Sequence, residues 1–153
     1  MGKQQSWRII PDMQSRQLFP ALLVLALSVW STATYAQNAC SKLTEAEVAA
    51  AVGQPLKRST TNPCQFGRAL QSFTIIVHSG DGPRFSQYAA SARQEFPNVQ
   101  SVPGVGSEAI FFGFNLAVHA SNDVIVIQML MGKAVPEKIT LAKAVAQKLM
   151  AHF

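Results

Sequence analysis

Val124-Ile125-Val126-Ile127-Gln128-Met129-Leu130-Met131 is apolar at both parities. Successive strand side chains point to opposite faces, so Val124, Val126 and Leu130 share one face and Ile125, Ile127, Met129 and Met131 the other. A strand written this way is central and covered on both sides, or it faces a cavity. Ser121-Asn122-Asp123 ahead of it reads as a hairpin turn. That turn joins it to a strand over residues 116–120, with a further strand over 108–114.

The same period extends outward. In residues 72–79, Phe73, Ile75 and Val77 alternate with Thr74, Ile76 and His78, the pattern of a half-buried strand. Residues 55–60 and 64–68 read as strands around an Asn62-Pro63 turn, and 99–102 as a short edge strand.

Helical signals interrupt this pattern. Thr44-Glu45-Ala46-Glu47 is a capping box with Leu43 and Val48 placed as a hydrophobic staple, and Gly53 ends a helix over 45–52. Gly80-Asp81-Gly82-Pro83 breaks the chain before an amphipathic helix over 84–96. That helix carries Phe85, Tyr88, Ala89, Ala92 and Phe96 in one stripe and stops at Pro97. A last helix over 136–152 turns Ala142, Val145, Ala146, Leu149 and Phe153 inward, with Lys138, Lys143 and Lys148 on a solvated rim. The expected fold is one α+β domain: a mostly antiparallel sheet of about five to six strands with three helices.

Residues 18–30, LFPALLVLALSVW, follow Lys3, Arg8 and Arg16 and precede the small-residue tail STATYA. These are the three parts of a secretory signal. The apolar run of 13 residues is short of the roughly 20 that span a bilayer. Residues 1–36 are therefore read as a cleaved signal peptide, with no stable membrane span and a domain over 37–153. Translation starts at Met1 or Met13. Export to the periplasm or the medium follows, and an even pair of cysteines there, Cys40 and Cys64, favours a disulfide. The alternative is a lipid anchor on Cys40, since Ala39 precedes it, although Gln37 is a poor lipobox residue. The two readings exclude each other.

From Gln37 onward ten basic residues face seven acidic ones, a scattered net charge of +3. That is no nucleic-acid track. Gly104-Val105-Gly106-Ser107-Glu108-Ala109 matches the dinucleotide fingerprint, but β-type sequence follows where a helix is required. Gly104 and Gly106 read as a structural turn and no cofactor is expected. His78, His119 and His152 lack the third ligand a zinc site needs, so no metal is expected. No nucleophile elbow is present, and Glu45 with Glu47 do not share a helix face, so nothing argues for catalysis. Adjacent Phe111 and Phe112 face opposite sides, so at least one meets a second helix layer, a ligand cavity or a partner. Phe111, Phe112, Met129 and Met131 are the expected binding surface, for an envelope protein or a small apolar ligand.

The opening Cys40-Ser41-Lys42-Leu43-Thr44-Glu45-Ala46-Glu47-Val48, the later Cys64 and the Pro103-to-Ala109 turn resemble small exported and lipoprotein domains of bacteria. Many come from actinobacteria and are known only as domains of unknown function. The resemblance implies a disulfide between the matching cysteines and an α+β sandwich of the Mog1/PsbP type. It carries no catalytic residue. The function expected is a non-enzymatic exported binding or interaction module; the alternatives are a lipid-anchored accessory protein and an enzyme with an unrecognised site.

Overall fold

The computed structural model describes residues 40–153. The expected signal peptide and the Gln37 start lie outside the described residues. Three helices stand out, α1 (Glu45–Val52), α2 (Phe85–Glu95) and α3 (Val135–Met150). Six strands accompany them: β1 (Gln65–Arg68), β2 (Gln71–His78), β3 (Gln100–Ser101), β4 (Glu108–Phe112), β5 (Asn115–Ala120) and β6 (Asp123–Met131). The strands form one antiparallel sheet in the order β1-β2-β6-β5-β4-β3. The architecture is α+β.

Local chemistry starts α1. Thr44 Oγ1 accepts from the Glu47 amide at 3.2 Å, and the Glu47 carboxylate accepts from the Thr44 amide at 2.8 Å. The cap satisfies amides that the first helical turn leaves without partners. Cys40 and Cys64 form a disulfide, Cα to Cα 5.1 Å, that ties the chain ahead of α1 to the start of β1. Cys40 is fully buried. Its sulfur is committed to that bridge, the reading that the sequence sets against a lipid anchor at this residue.

Parity divides the core into two layers. Phe73, Ile75, Leu116, Ile125, Ile127 and Met129 pack on the face shared with Val48 and Val52 of α1 and Ala142, Val145 and Leu149 of α3. Ile110, Phe112, Ala117, Val124 and Val126 pack on the other face, under Phe85, Ala89 and Ala92 of α2. Strand β6 is central and covered on both sides along most of its length. The cover on the second face is incomplete: α2 lies over β4, β5 and β6 only. Ile76 of β2 and Leu130 at the end of β6 share its parity and are left exposed.

Three expectations shift. Residues 55–60 make a single bridge, Arg58 to Phe66, rather than a strand. Pro55 has no amide to donate, and the Ser59 hydroxyl instead takes the amides of Thr61 and Asn62. Phe153 is exposed, because α3 ends at Met150 and the chain leaves the inward stripe. Lys143 is no free rim cation: its ammonium donates to the Pro103 carbonyl.

Candidate functional site

The loop from β2 into α2 is strapped to the β5–β6 hairpin. The Gly82 amide donates to the Asn122 carbonyl at 2.9 Å, and the Gly80 amide donates to the buried Asp123 carboxylate at 3.0 Å. Gly82 is required by space: a Cβ there would stand 2.5 Å from the Ser121 oxygen and 2.6 Å from the Asn122 carbonyl carbon. Pro83 then enters a short 3-10 turn that starts α2. The strap sets the first turns of α2 against the top of β2 and β6.

Between them lies a cleft of about 360 Å³, lined by His78 and Val124 of the sheet and by Asp81, Arg84, Gln87, Tyr88 and Ser91. Arg84, Gln87, Tyr88 and Ser91 recur at helical spacing and so present one face to the opening. Arg84 meets Asp81 at 3.5 Å across an exposed pair, an interaction of small energetic weight. Tyr88 is half-buried, edge-on to Phe112 with ring centroids 6.0 Å apart. Burial, and secondarily the charge of Glu95, raises its hydroxyl pKa, so it stays a protonated donor. An apolar floor at Val124 ringed by convergent polar groups is the composition of a small-molecule cleft.

The residues singled out from sequence fall elsewhere. Phe111, Phe112, Met129 and Met131 are buried, with exposures of 1, 5, 0 and 4 %. Phe111, Met129 and Met131 lie under α1 and α3, and Phe112 lies under α2. They form core, not an accessible surface, because helices cover both faces where they sit. Gly104 and Gly106 form a turn that runs straight into β4, so no helix N-terminus stands where a pyrophosphate would bind. Gly106 has φ 61, and a Cβ there would meet the His119 carbonyl oxygen at 2.4 Å. The turn is clasped by α3, with Gln147 donating to the Gly104 carbonyl at 3.0 Å.

His78 and His119 both pair in register with Val124 from opposite sides of β6, two strand spacings apart, about 10 Å. His119 stacks on Phe85 at 5.4 Å and bonds the Ser121 carbonyl at 3.0 Å. His152 meets the Glu47 carboxylate at 3.0 Å. Among the described residues no group of three or more His, Cys, Asp or Glu stands close enough to hold a metal, and no helix is long and apolar enough to cross a membrane.

Arg58 was not legible as a structural residue. Its guanidinium donates to the carbonyls of Cys40, Leu43 and Pro63 and lies 4.6 Å from the Phe66 ring centre. Its amide donates to Glu45 at 2.8 Å, which with Lys57 lowers the Glu45 pKa. The adjacent Lys57-Arg58 pair reads as surface charge, and only folding shows which of the two turns inward. No protein-family model matches this chain, and no match was found among curated proteins or solved structures.

Proposed function

We propose that this chain is an exported, non-catalytic binding module that takes a small molecule in the cleft between α2 and the sheet. The ligand class that fits has an apolar body for Val124 and an anionic or hydrogen-bond-accepting head for Arg84, Gln87, Tyr88 and Ser91. The observation that carries the reading is the convergence of those four side chains on one opening beside an uncovered stretch of sheet. Export is supported by the disulfide, which persists in oxidising compartments. The helix-flanked antiparallel sheet supports the Mog1/PsbP-type architecture, and the two cysteines support kinship with the exported bacterial domains that the opening motif resembles.

The test is a fragment titration followed by amide and methyl NMR on the chain from Gln37, using small aromatic and aliphatic carboxylates. Shifts are expected at Val124, Tyr88 and Ser91, and Ser91→Trp, which fills the opening, is expected to abolish them while the fold is kept. No shift from any fragment, or shifts that survive Ser91→Trp, would overturn the proposal.

A further inference from the structure

Beyond the cleft, exposed apolar side chains are unevenly placed. Six large hydrophobics are exposed among the described residues: Leu70, Ile76, Phe114, Leu130, Val135 and Phe153. Four of them gather at one end of the sheet. Leu70 sits at the β1–β2 tip and Phe114 at the β4–β5 turn. Leu130 is at the end of β6, and Val135 is the first residue of α3. The register brings the first three together: Ser72 opposes Leu130, and the Phe114 carbonyl accepts from the Met129 amide. Leu70 and Phe114 therefore flank the β6 end from its two sides, about two strand spacings apart across the sheet and offset along it. Val135 lines a depression with Gly113 and Phe96 on the same side.

The tip is held out at a conformational cost. Ala69 adopts φ 49, a left-handed conformation unusual for a residue with a Cβ. It is fixed by the Ser72 hydroxyl donating to its carbonyl at 2.8 Å. The result is a Leu70 side chain that is 76 % exposed. Charge follows the same axis. This end carries Arg68, Arg93, Lys133 and Lys138 against Glu95 and Glu137, with Lys133 paired to Glu137. The opposite end carries Asp81, Glu47, Glu108 and Asp123 against Arg84, Lys42 and Lys148, and so lacks that excess of cations.

We propose that this end of the sandwich docks on an anionic lipid bilayer, with Leu70, Phe114, Leu130 and Val135 entering the interface and the cations around them meeting headgroups. Aliphatic and aromatic tips among long basic side chains are the composition of an interfacial anchor. The four residues come from separate segments and protrude singly, which suits a fluid apolar phase better than a partner groove. The opposite end, without that excess of cations, faces away from the membrane.

Tryptophan reports on this directly. The chain's two tryptophans, Trp7 and Trp30, precede Gln37. Both cysteines of the bridge, the six described strands and both core layers lie within residues 40–153, so the chain from Gln37 keeps them all. Phe114→Trp in that chain is a sole tryptophan at the proposed contact. Its emission is expected to shift blue with vesicles of phosphatidylcholine and phosphatidylglycerol in equal parts, and to revert in high salt.

In that background Leu70→Asp is expected to lower partition about tenfold and Arg68→Gln about fivefold. Ile76→Thr, exposed but off this end, leaves partition unchanged. Circular dichroism confirms that each variant is folded. Several results overturn the proposal: no shift with anionic vesicles, an equal shift with phosphatidylcholine alone, or a Leu70→Asp chain that partitions like its parent. Binding to polyglutamate in place of vesicles, or pairing of two copies through Phe114, overturns it as well.

Discussion

Replacing Gly82 by Ala tests whether the strap between the β2–α2 loop and the β5–β6 hairpin holds α2 in place. The added Cβ would sit 2.5 Å from the Ser121 oxygen, 2.6 Å from the Asn122 carbonyl carbon and 2.9 Å from the Asn122 Cα. All three neighbours are backbone and cannot move without moving the hairpin. Forcing one carbon into such a contact costs about 1–3 kcal/mol. Pushing the segments apart also weakens the 2.9 Å hydrogen bond from Gly82 to Asn122, a further ~1 kcal/mol. The sum is about 2–4 kcal/mol, which for a domain of this size lowers Tm by roughly 10 °C.

Gly80→Ala is the control. Gly80 has φ 80 but nothing within 4 Å of its missing Cβ, so only the backbone penalty applies, about 1–2 kcal/mol. Urea unfolding of both variants gives the two numbers. Gly82→Ala is expected to be the more destabilising and to broaden the Tyr88 and Ser91 amides. A Gly82→Ala chain within ~0.5 kcal/mol of the parent, or milder than Gly80→Ala, would refute the steric argument.

Further expectations concern the disulfide, an acid-sensitive cap and the core. Reducing Cys40–Cys64, which closes a separation of 24 residues, is expected to cost about 3.5 kcal/mol by chain entropy; an unchanged thermal midpoint under reductant would contradict it. Glu47 is held from its ordinary 4.5 down to about 2, first by the Thr44 amide, then by the Thr44 hydroxyl and His152. A carboxyl whose pKa is lowered on folding stabilises above its unfolded value, and that contribution is lost as pH falls from 4.5 toward about 2. Stability of the parent should therefore fall across that window more steeply than that of Glu47→Gln, and equal slopes would sink the assignment. Phe111→Ala is expected to cost about 3–5 kcal/mol in chemical denaturation, whereas Leu70→Ala stays within about 0.5 kcal/mol. The reverse order would restore Phe111 to the surface.

Local signals carried far into the fold. The capping box at Thr44 and Glu47 and the alternation of Phe73, Ile75 and Val77 needed no tertiary information, because each is a property of a few neighbouring residues. The doubly apolar run at Val124 is the central strand it reads as. What parity cannot convey is how much of a face a helix covers. Phe111, Phe112, Met129 and Met131 are apolar enough for either a core or a binding surface. That decision rests on α1 and α3 for Phe111, Met129 and Met131, and for Phe112 on α2, whose 11 residues cover three strands of six. Leu130, one residue from Met129 and Met131, is the exposed one because it lies past the reach of α2. The cleft was partly visible in outline: Arg84, Gln87 and Ser91 are polar beside Tyr88 on one helix flank. Its other wall comes from His78 and Val124, which only strand pairing brings there.

Incomplete cover of the sheet by α2 underlies the cleft and the exposure of Ile76 and Leu130, and solvent paramagnetic relaxation of methyl groups measures it most directly. With a soluble gadolinium chelate, the Ile76 and Leu130 methyls, 40 and 37 % exposed, are expected to relax fast. Those of Ile110 and Val126, beneath α2, are expected to be protected. Protection of Ile76 and Leu130 equal to that of Ile110 and Val126 would show the face closed and contradict the open half-sheet.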